Sequence, residues 1–420
     1  MGKPFVVVVD PYSSGNLLAP AMRVAGLAPV AVTSTDRPPS VYAGSYRPAD
    51  FDLVLRHGDV AGDVERLRAL APVCVLAGAE SGVELADRLA AELTPDRAND
   101  PRRAAARRHK AAMAAAVAAA GLPAVRQVCT ADAAEVGAWI DDAGLRGRDL
   151  VVKPPKSAGS DGVTHVPHGV GWRAAFDRLL GEHNKLDLVN DQVLVQEYLT
   201  GTEYVVDTCT LDGTHTVVDI CRYRKRHNAG RMAVYDYMEW LPHDTPGGAE
   251  LLAFATGVLD AVGVRFGAAH LEIMLTGDGP RLIEVNARIA GAGVPTFCRE
   301  ATGDSQVDRL VRHCAGERAI PAGFTLRRAV RGVLFVAPRS GVVRNAHEYH
   351  AVRSLASHHT SVINVADGDH VDATTDLFSS HALGYVVLAH DRPEQVDADY
   401  RAVRRIEDGL VFDQPARLSR

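Results

Sequence analysis

The stretch Ala269–Arg288, AHLEIMLTGDGPRLIEVNAR, constrains the fold of this chain most. His270, Glu272 and Met274 alternate with Leu271, Ile273 and Leu275. Beyond Gly277-Asp278-Gly279, Glu284, Asn286 and Arg288 alternate with Ile283, Val285 and Ala287. A period of two puts each set on one face of a strand, and Gly-Asp-Gly closed by Pro280 is hairpin chemistry. A turn centred on Asp278 sets Glu272 opposite Glu284 and His270 opposite Asn286, all on one face. Like charges directly opposite on a sheet repel; a cation between them removes the conflict. Hard oxygen donors with few thiols nearby suit Mg²⁺. The competing reading is a solvated hairpin with an acidic outer face.

A chain of 420 residues with 47% hydrophobic content can bury cores in two or three domains. A net charge of −6 and a pI near 6.3 argue against a general binder of nucleic acid or anionic membrane. The six cysteines are scattered, without a CxxC pair or zinc spacing, as expected of free thiols in a reducing cytosol. The apolar run before Asp10 is short for a signal peptide, and no stretch reaches membrane-spanning length. The expectation is a cytoplasmic protein with no membrane or nucleic-acid partner.

Phe5–Val9, Ala28–Thr33, Asp52–His57 and Val73–Ala77 read as strands alternating with helices over 16–25 and 82–93. Such alternation predicts a Rossmann-like, doubly wound parallel sheet over residues 1–100, with ligands beyond the carboxyl ends of its strands. Ser13-Ser14-Gly15 lies there, as an anion cradle or a plain turn. Glu80 lies there too, as a partner for a substrate ammonium or an ordinary acid at a helix N-terminus. Residues 99–106 read as a polar, basic linker. An Ala-rich helix over 111–120 then stops at Gly121. Strands at 125–129, 150–153 and 193–197 follow, with a helix over 131–143. After Lys153 the loop Pro-Pro-Lys-Ser157-Ala-Gly159-Ser160-Asp-Gly-Val can lay N–H groups against phosphate oxygens, or be a surface turn; it is not a Walker A motif.

A strand near 216–221 precedes the basic cluster Arg222, Arg224, Lys225 and Arg226, either a solvated face or a phosphate contact. Helices are expected at 251–262 and 299–314. From about Arg327 short strand-like runs (330–336, 361–365, 382–388) and a helix near 395–407 suggest a small α+β module over 321–420, without a catalytic constellation of its own. His347, His350, His358 and His359 lack metal-ligand spacing and read as exposed polar residues.

Together these motifs resemble the ATP-grasp superfamily, and within it the carboxylate–amine ligases. The L-amino-acid (dipeptide) ligases are nearest and D-alanine–D-alanine ligase more distant. The motifs that carry the resemblance are Glu272…Ile-Glu284-Val-Asn286-Ala-Arg288, Lys110, Val-Val-Lys153 with its Gly/Ser loop, and Gln196-Glu-Tyr-Leu199-Thr-Gly-Thr-Glu203. The resemblance implies an ATP-grasp fold, α/β and α+β in class, with the ATP-grasp domain over 101–320 and a lid at about 125–200. It places Lys110, Lys153 and Lys225 at ATP, with Ser157, Gly159 and Ser160 in the loop that closes over the phosphates. It places Gln196, Glu197 and Leu199 at the adenine edge and Glu203 at the ribose. Glu272, Glu284 and Asn286 would hold two Mg²⁺ ions, with Mn²⁺ as an alternative, and Arg288 and His270 would serve catalysis.

Glu80, Ser14, Tyr235 and Gly291 would line the substrate site, near the segment 235–240. The implied activity is ADP-forming amide synthesis between an amino-acid carboxylate and an amine, a second amino acid or similar, through an acyl phosphate, in a homodimer and in biosynthesis of a dipeptide, γ-glutamyl or antibiotic-type product. His270 stands where D-alanine ligases carry arginine. Ala-Arg-Ile-Ala-Gly-Ala-Gly replaces their Thr/Ser-x-Pro-Gly, which favours the amino-acid ligase branch. The alternatives are a biotin-carboxylase or carbamoyl-phosphate type of enzyme acting on bicarbonate, and a non-catalytic nucleotide-binding regulator.

Overall fold

Val6–Val9 are all fully buried, as a strand covered on both faces must be. In the computed structural model, which describes residues 2–228, 231–319 and 321–413, they belong to β1 (Phe5–Val9). This strand pairs in parallel with β2 (Ala28–Thr33) and with β4 (Cys74–Ala77), and β3 (Leu53–Arg56) completes the sheet beside β2. The order β3-β2-β1-β4 is the parallel arrangement that the alternating strands and helices predict. The loops after β1 and β4 leave the same sheet edge and meet: Gly15 and Gly78 lie so close that a Cβ on Gly15 would fall 2.5 Å from the Gly78 carbonyl oxygen.

A second, antiparallel sheet is built from β5 (Gln127–Thr130), β6 (Leu150–Lys153), β7 (Thr164–Val166) and β8 (Val193–Glu197) in the order β5-β8-β6-β7. Val136 and Ile140 of the helix Ala133–Asp142 and Phe176 of the helix Trp172–Leu179 close its apolar face.

The central sheet begins with β9 (Gly201–Leu211), β10 (Thr214–Asn228), β11 (Arg231–Leu241), β12 (Gly267–Thr276) and β13 (Gly279–Asn286). The chain ends in β14 (Ala329–Leu334), β15 (Gly341–Val343), β16 (His358–Ile363), β17 (His370–Val371), β18 (Gly384–His390) and β19 (Phe412–Asp413). The order β13-β12-β9-β10-β11-β14-β18-β16 shows that the C-terminal strands continue the central sheet, joined through β11 and β14; β17, β15 and β19 form a small separate sheet. The basic cluster at 222–226 therefore lies inside the long strand β10.

Two local expectations change. The helix expected over 299–314 is two helices, Val294–Thr302 and Gln306–Cys314. Gly303 ends the first in a left-handed conformation (φ 81°), and the Ser305 side chain caps the second by accepting from Asp308 N–H. The stretch expected to be a linker is a short 3₁₀ segment, Pro101–Arg107, nailed to its surroundings by a fully buried arginine. Arg107 donates to Asp87 (2.9 Å) and to the backbone carbonyls of Val262 (2.8 Å) and Asp100 (3.0 Å), joining the leading domain to the central one.

Removing one member of a buried ion pair leaves the other unpaired. Arg107→Ala is therefore expected to cost about 3–5 kcal/mol in unfolding free energy, read by denaturant titration.

Candidate active site

The lid-side antiparallel sheet β5-β8-β6-β7, the central sheet and the loops of the leading domain surround a cleft of about 1290 Å³. Its floor is the β12–β13 hairpin. Near the turn Thr276 pairs with Gly279 and Ile273 with Leu282; a bulge then shifts the register so that Glu272 faces Glu284 and His270 faces Asn286. The functional pairing is thus the one expected, but it arises from a tighter turn plus a bulge. The extra residue is Ile283, which lines the cleft beside Glu284 while Leu282 and Val285 remain in the core.

Lysines surround the two carboxylates. Lys110, the first residue of the helix Lys110–Ala119, puts its Nζ 2.7 Å from Glu284 Oε1. Lys153, at the end of β6, is 5% exposed, and its ammonium has no hydrogen-bonded or ion-paired partner among the described residues. Burial, and then repulsion from Lys110, lower its pKa to about 8. Lys225 donates to both oxygens of Glu203 (2.6 and 2.8 Å) and lies 4.5 Å above the Tyr235 ring, a cation–π contact. Burial works against the charge on Lys225, and the Glu203 carboxylate restores it.

The adenine-edge expectation needs one correction. Gln196 and Leu199 line the cleft, but the Glu197 side chain turns away to Arg126, accepting from its N–H (2.9 Å) and Nε (2.8 Å). Neighbouring residues of a strand face opposite ways, so Gln196 and Glu197 cannot both present side chains to one ligand. Tyr198, which the sequence did not single out, lines the cleft.

At the other end, Glu80 is not free to hold a substrate ammonium. It is 1% exposed and lies between two arginines, 3.1 Å from Arg288 Nε and 3.2 Å from Arg108 Nη1. With its amide turned to satisfy its neighbours, Asn286 also donates to Glu80 (2.7 Å) and to Glu284 (3.2 Å). Glu80 therefore orients Arg288, which lines the cleft, while Asn286 is buried just beneath. Arg108 lies just beyond the stretch that reads as a basic linker, and nothing in its spacing signals burial. Ser14 is likewise engaged by the protein itself. Its hydroxyl accepts the Gly293 N–H (2.9 Å), as Ser13 accepts that of Ala292 (2.9 Å), fixing the Gly291–Gly293 loop at the cleft wall.

His270, Asp207 and Asp219 form a row across β12, β9 and β10. His270 Nδ1–H donates to Asp207 (2.7 Å), and its Nε2 lies 3.7 Å from Glu272. Burial alone would lower the His270 pKa, but Asp207 and Glu272 raise it to about 10, so the ring is a cation at neutral pH. Burial likewise opposes charge on Glu272, and the imidazolium and Lys225 hold its pKa down, at about 2. Asp219 is raised to about 8 by burial and by Asp207. The row thus carries a cation at His270 and a predominantly neutral acid at Asp219.

The roof is the loop after β6, where Gly159 and Ser160 both adopt left-handed backbone (φ 64° and 63°) and Ser157 donates to Asp161 (2.9 Å). The C-terminal residues Val362, Phe378, His381 and Tyr385 form the remaining wall. The sequence offered no signal for them, because they are apolar or weakly polar and belong to no motif. The four histidines expected to be polar lie outside the cleft; His347 is paired with Asp367 (2.7 Å) at the surface.

In chemical terms the cleft offers two facing carboxylates as hard donors and converging lysines for an anion, with a held guanidinium beyond. A protein that supplies only a couple of carboxylates suits Mg²⁺, which takes its other ligands from water and phosphate.

Residues 147–296 match the family model described as an ATP-grasp domain. Over 420 residues the chain is 30% identical to dapdiamide A synthase of Enterobacter agglomerans, covering 96% of both proteins. Among solved structures, an L-amino acid ligase from Bacillus licheniformis superposes with a TM-score of 0.72 at 16% identity, over 99% of this chain and 100% of that one. An N5-carboxyaminoimidazole synthase from Aspergillus clavatus superposes at 0.69 and 13% identity, over 97% and 99%. At these identities the structural matches establish the fold alone.

Lys153 is charged below its pKa of about 8 and neutral above it. Affinity for a non-hydrolysable ATP analogue is expected to fall about tenfold between pH 7 and pH 9, following the loss of that charge. Calorimetry on wild type and Lys153→Arg checks this, the variant showing a flatter profile.

Proposed function

The chain belongs to the ATP-grasp carboxylate–amine ligases, and on that premise we propose that it joins the carboxylate of one amino acid to the amine of another through an acyl phosphate. Members of this family are ATP-dependent, and this chain is an ATP-dependent enzyme that forms an amide bond in biosynthesis. Among the described residues no helix is long and apolar enough to cross a membrane. We take the protein to work in the cytoplasm as a homodimer on small-molecule substrates.

One observation carries the mechanistic part. Lys153, buried and without an ion-pair partner among the described residues, lines the same cleft as two facing carboxylates. An unpaired buried cation is costly unless an anion meets it, and ATP supplies one. Lys110 and Lys153 would hold its phosphates under the Ser157–Ser160 loop. Gln196 and the backbone of Leu199 would hold adenine, and Glu203, kept in place by Lys225, would accept the ribose hydroxyls. Glu272 and Glu284, with Asn286 beneath them, would bind two Mg²⁺ ions; when bound, these neutralise phosphate charge and polarise the transferring group.

The substrate carboxylate attacks the γ-phosphorus, ADP leaves, and the amine then displaces phosphate from the acyl carbon. Phosphoryl transfer depends on alignment and charge stabilisation more than on covalent help from protein. Arg288, oriented by Glu80, would stabilise charge on the acyl phosphate and on the tetrahedral species that follows. His270 would act at one remove, keeping Glu272 ionised. The amine enters from solution as the free base.

ADP release is expected to depend on a pair of amino acids and not on bicarbonate, with the condensed product seen by mass spectrometry. Stimulation by bicarbonate alone would favour carboxylase-type chemistry, and nucleotide binding without turnover would favour a regulator. Glu284→Gln is expected to abolish ADP formation while the thermal unfolding profile remains native; turnover close to wild type would remove Glu284 from the metal site. Arg288→Ala is expected to lower kcat by roughly 10²–10³ with a smaller change in KM, and Glu80→Gln by less, since it acts through Arg288.

A further inference from the structure

The C-terminal strands and helices bear no phosphate-binding motif, yet one segment reaches across the mouth of the cleft and grips the glycine-rich loop. The short helix Leu377–Leu383 is started by Asp376, whose side chain accepts Ser379 N–H (2.8 Å). Phe378, the second residue of that helix, packs closely against Gly159: a Cβ there would fall 2.7 Å from ring carbon Cε2. Leu377 N–H donates to the Gly159 carbonyl (3.3 Å). Asp376 pairs with Lys185 of the lid, whose ammonium also lies 5.2 Å above the Phe378 ring.

From the other side Phe378 meets Tyr42 of the leading domain, ring centroids 6.4 Å apart, in an apolar cluster that includes Tyr12 and Leu186. The root of the segment is fixed. Asn228 donates to the Thr374 carbonyl (2.9 Å), and the Thr374 hydroxyl accepts Ala337 N–H (2.9 Å). Lid, leading domain and C-terminal module therefore converge on one phenylalanine above the cleft.

We infer that Phe378 is a positioning residue that latches the glycine-rich loop over the phosphates, so that the acyl phosphate meets the amine before it meets water. The latch rests on the acyl-phosphate route proposed above. The side reaction it prevents is simple. Water oxygen attacks the acyl carbon, the bond from that carbon to the phosphate oxygen breaks, and the free carboxylate returns with inorganic phosphate and protons released to solvent. ATP is consumed and no amide forms. Gly159 is also explained: any side chain there would push the ring off the loop, besides straining a left-handed backbone. Closed loops that exclude water from reactive intermediates are a general device of such enzymes. Here the clasp is supplied by the far end of the chain.

The test is the ratio of phosphate released to amide formed, with both amino acids present. Wild type is expected to give a ratio near one. Phe378→Ala is expected to raise it about fivefold or more, and Phe378→Leu, which keeps an apolar cap, to bring it most of the way back. Lys185→Met removes the ion pair from the lid side at a half-exposed position and is expected to raise the ratio in the same direction. It decides the matter if Phe378→Ala does not fold. A ratio that stays near one in both Lys185→Met and a folded Phe378→Ala, whatever the loss of rate, would make Phe378 a packing residue and overturn the latch alone. A wild-type enzyme that forms amide from no amino-acid pair would overturn the ligase chemistry and the latch with it.

Discussion

Glu272 and Glu284 face each other from adjacent strands at the bottom of the cleft. Like charges directly opposite on a sheet repel, so this pairing persists only if the surroundings compensate. Each part of the molecule contributes to that compensation. The helix after the leading domain brings Lys110 to Glu284, the lid brings Lys153, β10 brings Lys225, and the hairpin itself brings the imidazolium of His270 beside Glu272. The same positive charge that makes the acid pair tolerable is what a polyphosphate needs.

Glu80 links this charge balance to the domain arrangement. It stands after β4 of the leading sheet, at the carboxyl end where ligands of parallel sheets gather. Its two oxygens go to Arg288, from the end of the hairpin, and to Arg108, from the segment between the domains. A shift of the leading domain would leave three buried charges mismatched. The neighbouring Arg107, ion-paired with Asp87 and hydrogen-bonded to the carbonyls of Asp100 and Val262, resists that shift as well. The position of Arg288 in the cleft is thus a consequence of how two domains are joined.

Much of the fold was legible in the sequence. Phe5–Val9, Ala28–Thr33, Leu150–Lys153 and Val193–Glu197 begin and end where the sequence predicts, because buried strands leave near-continuous, valine-rich apolar runs. The hairpin was legible as well, though its bulge was not: Leu282 and Ile283 are both apolar, and alternation cannot say which is the extra residue. Placement of individual side chains was harder. Glu80 and Glu197 sit at the expected positions in the chain, but each is claimed by an arginine distant in sequence. Only tertiary structure decides whether an acid faces a ligand or a partner. Phe378 and Tyr385 were silent for another reason: an apolar side chain at a cleft wall has the same sequence signature as one in a core.

The central claim is that phosphate passes from ATP to a substrate carboxylate before the amide forms. Turnover with an amino acid labelled with ¹⁸O in the activated carboxyl group tests it directly. If an acyl phosphate forms, one labelled oxygen from each carboxylate must appear in the inorganic phosphate, seen by mass spectrometry, and one must remain in the amide carbonyl. Phosphate released free of label, with amide still produced, would contradict the account.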